Sequence, residues 1–234
     1  MKNKMNGFLR SLALSGALTS AVFLMGSTAH AEDGKWEVLF NGKSTEKFRG
    51  FKKATFPSSW IATNGTLKTI VGNGSDIITK DVYEHFELQL EWKISGGGNS
   101  GILYRVSESG NEVWHTGPEM QVLDDDKHAD GKNPKTTAGS LYALIAAEGK
   151  KLKPVGGWNK AKLIVQGNHV EHWLNGVKIV SYELGSQSLR DLISMSKFKD
   201  LPNFAKEPRG HIVLQHHHDE VAYRQIRIRR LKAK

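Results

Sequence analysis

Hydrophobic and polar residues alternate along several segments of this chain with the period of two that is typical of β-strands. The clearest segment is Phe86–Ile94, where every second residue is apolar and the residues between are Glu, Gln or Lys. Successive side chains of a strand point to opposite faces, so this pattern predicts a strand with one buried face.

Two further pairs of alternating segments have the pattern of β-hairpins. Asn64-Gly65 joins the segments 61–63 and 66–70, and Asn175-Gly176 joins the segments 170–174 and 177–180. Asn-Gly readily adopts the positive φ angles of a two-residue hairpin turn. We therefore expect a tight hairpin at each position.

Shorter apolar segments predict the remaining strands, at 36–40, 76–79, 101–106, 119–123, 140–145, 161–166, 211–217 and 222–229. Leu189, Leu192 and Ile193 fall at helical spacing, which predicts one short helix between Gln187 and Lys199. The number and spacing of the strands indicate two packed antiparallel sheets. The expected fold is an all-β sandwich with one short helical insertion.

The N-terminal segment has the pattern of a secretory signal peptide. Three basic residues precede an apolar segment at 12–25, which is followed by Ala29-His30-Ala31. The apolar segment is short and contains Ser, Gly and Thr, so a membrane anchor fits less well. We expect cleavage after Ala31, with 1–31 as signal peptide, 32–234 as one domain, and a periplasmic or extracellular location.

Composition narrows the chemistry. The 234 residues include 33 Lys and Arg against 24 Asp and Glu, a formal charge of +9, and no Cys. Disulfides, thiolate nucleophiles and the lipid-bearing Cys of a lipoprotein are thereby excluded. The basic residues between Arg224 and Lys234 are spread along a predicted strand with few aromatic residues, so we expect a solvated edge and not a nucleic-acid site.

Three predicted strands place polar side chains on the face opposite their core residues. Arg105 shares a face with Leu103 on the first strand, Glu119 and Gln121 share a face on the second, and Gln215 and His217 do so on the third. On a concave sheet surface these side chains would line a polar groove of the size of a sugar. A solvated outer face without any special arrangement would give the same pattern.

Other residues could complete such a groove. Asn99 lies in the glycine-rich segment 96–101 beside these strands. Trp114, Trp158 and Trp173 could stack on sugar rings, and Trp173 is the best candidate because it alternates away from the apolar residues of its strand. Core packing is the usual alternative for Trp.

A metal site is possible but only weakly indicated. In His216-His217-His218 adjacent side chains point to opposite faces of a strand, so a zinc cage is not expected. Asp124, Asp125 and Asp126 could hold a harder divalent cation, although a solvated acidic turn is the favoured interpretation. An ordinary retaining glycosidase is disfavoured, because Gln121 and Asp124 depart from the Glu-x-Asp-x-x-Glu pattern that begins here at Glu119.

Several short motifs together resemble the 3-keto-disaccharide hydrolase family. In chain order they are Leu39-Phe-Asn-Gly42, Asn99-Ser-Gly-Ile-Leu-Tyr-Arg105, Gly117-Pro-Glu-Met-Gln-Val-Leu-Asp124, Gly139-Ser-Leu-Tyr142, Trp158-Asn159, His172-Trp-Leu-Asn-Gly176 and Gly210-His-Ile-Val-Leu-Gln215 with Arg224-Gln-Ile-Arg-Ile-Arg229. Each motif is weak alone, but all stand in the family's order. The resemblance implies a concanavalin A-like jelly roll and action on glycosides oxidised to a ketone at sugar carbon 3.

The resemblance also implies site residues. Arg105, Glu119, Gln121 and Tyr142 match polar positions of the family's pocket. The closing strand of the family usually reads Leu-Gln-Asp-His-Gly, so His217 matches its histidine. Here two His residues, at 216 and 218, replace the usual Asp and Gly. This departure puts any role of the aspartate position in doubt.

A mechanism follows from the chemistry of such a substrate. A ketone at carbon 3 acidifies the proton on carbon 2, and the enolate can expel the glycosidic oxygen from carbon 1. Water then adds to complete hydrolysis. As a hypothesis, His217 is the base, and Arg105 or a divalent cation stabilises the enolate. Glu119 protonates the leaving group or holds a metal, while Gln121 and Tyr142 orient hydroxyl groups. The alternative is a non-catalytic carbohydrate-binding module with the same groove.

Overall fold

The protein is described here by a computed structural model of Met1 and residues 34–233. The predicted signal peptide lies outside the described residues, so cleavage and export stay predictions. Residues 34–233 belong to one compact unit. In the described part of the chain, no helix has the length and hydropathy needed to cross a membrane.

Residues 34–233 contain strands β1–β13 and one α-helix. The strands are β1 (Trp36–Phe40), β2 (Phe48–Gly50), β3 (Trp60–Thr63), β4 (Thr66–Thr69), β5 (Ile77–Thr79), β6 (Phe86–Ile94), β7 (Asn99–Val106), β8 (Glu119–Leu123), β9 (Asn159–Gln166), β10 (His169–Leu174), β11 (Val177–Glu183), β12 (His211–Leu214) and β13 (Val221–Arg230). Helix α1 spans Gln187–Ser194, and short 3-10 helices span Val113–His115, Ala129–Lys132 and Pro134–Thr136.

The strands form two antiparallel sheets. An eight-stranded sheet has the order β11-β10-β9-β6-β13-β4-β3, with β1 also paired to β13, and a five-stranded sheet has the order β2-β5-β12-β7-β8. The predicted all-β sandwich with one helical insertion is therefore confirmed. Strands β12 and β13 come last in the chain, yet each lies in the interior of its sheet.

Most local predictions hold, and the exceptions have local causes. β6 and β8 have the predicted bounds, and both Asn-Gly hairpins form, with positive φ at Asn64 and Asn175. The predicted strand at 140–145 is wrong. Leu141 makes only isolated bridges, to Met120 and Ile145, because the chain turns tightly at Ala143, which has a φ of 62°.

Two apolar clusters stabilise the sandwich. The main core lies between the sheets and includes Trp92 of β6, which is 1% exposed. A smaller cluster lies on the outer face of the five-stranded sheet and contains Leu103, Val213 and Ile78. This outer face is consequently not a plain solvated surface, and residues beside the smaller cluster can be buried there.

A buried hydrogen-bond chain joins the two sheets. His172 Nδ1 donates to the Gly139 carbonyl oxygen at 3.0 Å, because that oxygen can only accept. His172 Nε2 then accepts from the Tyr104 hydroxyl at 2.9 Å, and Tyr104 accepts in turn from Tyr182. Burial lowers the pKa of His172 to about 4, so the ring is neutral. The chain ties β7 to β10 and β11.

Replacing Tyr104 with Phe tests this chain. The Tyr104→Phe variant leaves His172 Nε2 and the Tyr182 hydroxyl without a buried partner, which costs about 1–3 kcal/mol of unfolding free energy. Denaturant titration at pH 7 measures the loss. Tyr83→Phe is the matched control, since the Tyr83 hydroxyl bonds only the Glu37 carboxylate at 3.2 Å. Equal stability of the two variants would contradict the proposed importance of the chain.

Candidate functional site

The candidate site lies on the outer face of the five-stranded sheet, turned away from the eight-stranded sheet. Leu103 of β7 is paired with Glu119 of β8, and Gly101 is paired with Gln121 two residues away. Gln215, just after β12, donates its backbone N–H to the Gly101 carbonyl. The row across the strands that contains the apolar Leu103 therefore lies beside a row that contains Gln215, Gln121 and Gly101, which has no side chain.

The Glu119 side chain lies directly over Gly101. A β-carbon added at position 101 would come within 2.1 Å of Glu119 Oε1 and 2.7 Å of its Cδ. The φ angle of Gly101 is not in the left-handed region, so space and not backbone conformation requires glycine here. Glu119 is only 8% exposed. The missing side chain at 101 thus provides the pocket in which the carboxyl group is buried.

Burial changes the protonation of Glu119. Desolvation is the main cause that raises the pKa of the Glu119 carboxyl to about 8; the Lys197 ammonium lowers it, and Asp76 and Asp130 raise it. The carboxyl group is therefore mostly protonated at neutral pH. In this state it can donate a hydrogen bond or a proton, which an ordinary surface glutamate cannot do.

Asp76 supplies a second carboxyl group at the same end of the sheet. It directly precedes β5, and extension of the β5–β12 register places it level with Gln215. The His216 backbone N–H donates to Asp76 Oδ1 at 2.7 Å. Burial raises the pKa of Asp76 to about 6, although the bond from His216 lowers it. Asp76 is thus ionised at neutral pH while Glu119 is protonated.

Gln121 lies on the same face and has a fixed orientation. Its Oε1 accepts the Val122 N–H at 3.1 Å, whereas its Nε2 has no partner in the described structure. Gln121 is 1% exposed. An unpartnered buried donor is costly, so this amide is suited to an incoming oxygen acceptor.

Tyr142 and Lys197 border the Glu119 pocket. The Tyr142 backbone N–H donates to the Glu119 carbonyl at 3.0 Å, and its hydroxyl donates to Asp130 Oδ2 at 3.1 Å. The Lys197 ammonium lies 4.3 Å from the centroid of the Tyr142 ring. An acid, a cation, a tyrosine and a carboxylate thereby surround one small region of the sheet.

Asn99 and His217 lie at the edge of this face. Asn99 is paired with Leu123 and donates its backbone N–H to Asp219 Oδ2 at 3.1 Å. His217 lies after the end of β12 and is exposed. Desolvation of the part of the ring that packs against the protein lowers the pKa of His217, so the imidazole is neutral at neutral pH. Asn99 is buried and lies two residues from Gly101 along β7.

Arg105 does not lie on this face, although alternation predicted that it would share a face with Leu103. β7 bulges here, since Leu103 and Val106 pair with β12 residues only two positions apart. Arg105 itself has a φ of 50°. Its guanidinium instead donates to the carbonyls of Glu84 and Gly167, at 3.1 and 2.7 Å. The bulge shifts the alternation and turns the side chain away from Glu119.

Trp173 also lies elsewhere, on the outer face of the eight-stranded sheet. The Lys162 ammonium covers its ring at 3.7 Å from the centroid, and its Nε1 donates to Glu171 at 2.8 Å. A cavity of about 510 Å³ opens beside it. Because this surface is on the opposite side of the sandwich, Trp173 cannot contact a ligand bound at Glu119. Trp114, whose ring is 5.5 Å from the Lys197 ammonium, is the tryptophan near the site.

The described residues do not form a metal centre. Among residues 34–233, no group of three or more His, Asp or Glu side chains is arranged to hold a metal. His216 is buried with its Nε2 3.0 Å from the Ile70 carbonyl oxygen, whereas His217 and His218 are exposed. Both oxygens of Asp124 are engaged by backbone N–H groups. Asp124 thus uses both oxygens within the protein, and the divalent cation considered from the sequence stays a prediction.

Sequence patterns did not identify three residues of the site. Asp76 ends a polar turn, Lys197 follows α1, and Asp130 lies in a 3-10 helix. None stands in a motif with a recognisable spacing. Only the sheet order brings Asp76 near Glu119, and only the loop packing brings Lys197 and Asp130 there, so the chain offers no local signal for them.

Comparison with known proteins points to carbohydrate chemistry. Residues 35–229 match the model of a family described as the 3-keto-alpha-glucoside-1,2-lyase-like domain. The 3-keto-disaccharide hydrolase of Bacteroides thetaiotaomicron is 36% identical over 222 residues, which cover 82% of this chain and 77% of that protein.

Solved structures agree on the fold. A crystal structure of a candidate glycosyl hydrolase from Parabacteroides distasonis superposes with a TM-score of 0.79 at 30% identity, covering 84% of this chain and 94% of that one. A non-specific endo-beta-1,3(4)-glucanase superposes with a TM-score of 0.52 at 9% identity, covering 87% of this chain and 94% of that one. The second likeness shows the sandwich fold alone.

Enlarging Gly101 tests how the Glu119 pocket is formed. In Gly101→Ala the new β-carbon would displace the Glu119 carboxyl group towards water, and its pKa should fall from about 8 towards the ordinary value of 4.5. Carbon-13 NMR titration of the Glu carboxyl groups measures the change. Gly96→Ala is the control, because its β-carbon meets nothing closer than 3.7 Å. An unchanged titration in Gly101→Ala would show that the pocket has another origin.

The raised pKa of Glu119 also predicts a pH dependence of stability. Between about 4.5 and about 8 the folded protein keeps a proton that the unfolded chain loses, so stability falls as the pH rises. The limiting slope for one such group is about 1.4 kcal/mol per pH unit. Glu119→Gln has no carboxyl proton at this position, so its stability does not fall for this reason. Its free energy of unfolding should therefore rise relative to that of the wild type as the pH increases across that range. Parallel stability curves from denaturant titrations at several pH values would contradict the assignment.

Proposed function

This chain belongs to the 3-keto-alpha-glucoside-1,2-lyase-like family, and we propose that it is a carbohydrate-active hydrolase that cleaves glycosides oxidised to a ketone at sugar carbon 3. The family description and the name of the Bacteroides relative support this substrate class. The observation that carries the proposal is the pair of buried carboxyl groups with opposite protonation, Glu119 neutral and Asp76 ionised.

Elimination requires an acid and a base acting on different atoms of one sugar. The base removes the proton from carbon 2, whose electrons form a double bond to carbon 3 as the carbonyl becomes an enolate. The enolate then restores the carbonyl and expels the glycosidic oxygen from carbon 1. When the environments of two groups separate their pKa values, one is protonated and the other ionised at the same pH. Such a pair can supply both the acid and the base.

Glu119 is the proposed acid. Its carboxyl group is protonated at neutral pH and stands over Gly101, where no side chain blocks a ligand. It gives its proton to the departing glycosidic oxygen. The resulting carboxylate then takes a proton from the water that adds to carbon 1, while carbon 2 regains the proton held by the base. The acid and the base both return to their starting states.

Asp76 is the proposed base. Its Oδ1 is held by the His216 N–H, and it is ionised above a pH of about 6. One strand, β12, lies between Asp76 and Gly101 in the five-stranded sheet, so two strand spacings, about 10 Å, separate their backbones. That gap would leave room for a sugar ring between the two carboxyl groups. His217, the base predicted from the sequence, lies at the edge of this face. Its imidazole is neutral and can accept a proton, so His217 is the competing candidate for the base.

The remaining polar residues would bind hydroxyl groups. The unpartnered Gln121 Nε2 would donate to a substrate oxygen. Asn99 of β7 and Gln215, just after β12, would contribute further hydrogen bonds. Tyr142 would line the pocket beside Glu119. Arg105 and Trp173 are given no such role in this proposal, because their side chains are bonded elsewhere.

The function is tested by incubating the protein with a 3-keto-glucoside and with its unoxidised parent. We expect release of the aglycone from the keto sugar alone, measured by chromatography, because only the ketone acidifies carbon 2. A parallel reaction with a chelator tests the divalent cation. No release from either compound, combined with saturable binding in calorimetry, would instead favour a non-catalytic carbohydrate-binding protein.

The same assay separates the two base candidates. Asp76→Asn should lower kcat by about 10²–10⁴, the usual contribution of a positioned base, while His217→Gln should change it little. Because both replacements are nearly isosteric, each serves as the control for the other. The reverse order of effects would assign the base to His217.

A further inference from the structure

Lys197 is the cation of the candidate site, and its ammonium group lacks a polar partner. No ion pair or hydrogen bond of Lys197 Nζ is found within residues 34–233. The group instead lies against three aromatic rings, with centroids at 4.3 Å for Tyr142, 5.4 Å for Phe198 and 5.5 Å for Trp114. Its three N–H donors are therefore available to a ligand.

The backbone that carries Lys197 is firmly held. Phe198 is 2% exposed and stacks on Phe204 at 4.1 Å with an interplanar angle of 6°. On the other side, Ser196 Oγ donates to the Ile193 carbonyl and accepts the Phe198 N–H. The Lys197 backbone is thus fixed between an aromatic stack and the end of α1, and the contacts with the three aromatic rings hold the ammonium of this exposed residue beside Tyr142.

The charges around Lys197 favour an anion that forms during a reaction. Burial lowers the pKa of Lys197, while Glu119 and Asp130 raise it. Since Glu119 is protonated at neutral pH, it does not neutralise the ammonium. Asp130 lies near enough to act on Lys197 but forms no ion pair with it. A cation without an ion pair stabilises developing negative charge strongly, because no existing ion pair must be broken. The sugar enolate of the proposed reaction carries such a charge on its carbon 3 oxygen.

We infer that Lys197 is a catalytic residue that donates to the carbon 3 oxygen and makes the site specific for oxidised sugars over their unoxidised parents. The inference rests on the proposed function. Arg105, which sequence patterns suggested for this role, is bonded to backbone carbonyls elsewhere. An unoxidised sugar has a hydroxyl group at carbon 3 and develops no charge there, so it gains nothing from this ammonium.

Lys197 keeps its protons throughout the step. When the base removes the proton from carbon 2, the electron pair of that C–H bond forms the C2–C3 double bond and the carbonyl pair moves onto oxygen. The ammonium donates a hydrogen bond to this oxygen without transferring a proton. The pair then returns to restore the carbonyl as the C1–O bond breaks, and the leaving oxygen takes its proton from Glu119.

Replacing Lys197 with Met tests the inference by kinetics. For a 3-keto-glucoside, Lys197→Met should lower kcat by about 10²–10³ with KM changed only a few-fold, as for the loss of one oxyanion donor. Lys197→Arg keeps the cation and should recover part of the rate. Lys199→Met is the matched control, since Lys199 is two residues away and, like Lys197, exposed. Wild-type kcat in Lys197→Met would overturn the inference.

A second measurement separates this inference from the proposed function. The cyclic ketone 1,5-anhydro-3-keto-glucitol has the carbon 3 carbonyl but no glycosidic bond, so exchange of its carbon 2 proton in D₂O, followed by NMR, reports enolate formation alone. Exchange that needs Lys197 without any glycoside cleavage would refute the hydrolase and keep the inference. Cleavage with exchange independent of Lys197 would do the opposite, and neither exchange nor cleavage by the wild type would refute both.

A covalent role for Lys197 gives a different signature. A free amine could condense with the ketone to an iminium, with loss of water, and cyanoborohydride would reduce this adduct to a stable secondary amine. Mass spectrometry of the treated wild-type protein should show no sugar attached to Lys197. An adduct at that residue would overturn the hydrogen-bonding role inferred here.

Discussion

The site depends on one steric constraint, the absence of a side chain at Gly101. The Glu119 carboxyl group occupies the space that a β-carbon at 101 would fill. Because the carboxyl group is buried there beside the apolar row of Leu103, it holds its proton at neutral pH. The acid of the site is thus created by its surroundings, since a glutamate on an open sheet surface would be ionised.

The other site residues follow from the same sheet. Asp76 directly precedes β5 and Gln121 lies in β8, and β12 and β7 set the spacing between them. The loops then add Tyr142 and Lys197 above the sheet. The strands therefore fix distances between the groups that are proposed to act on different sugar atoms, while the loops supply Lys197 and Tyr142. Function resides in these side chains, since the sandwich fold itself is shared with proteins of 9% identity.

The sequence predicted the strands well because alternation and Asn-Gly turns act over few residues. It also predicted the face shared by Glu119 and Gln121, since β8 is regular. It failed at Arg105, because one bulge in β7 reverses the alternation and nothing in the local sequence announces the bulge. It could not find Lys197 or Asp76, whose positions depend on packing between segments far apart in the chain.

The position of β12 has a consequence for the order of folding. This strand ends at Leu214, near the C-terminus, and it separates β5 from β7 in the sheet. The two carboxyl groups therefore have no defined separation until this late segment has been synthesised and inserted. Such non-local pairing is slow compared with hairpin formation. The chain consequently has no assembled site before β12 has been inserted between β5 and β7.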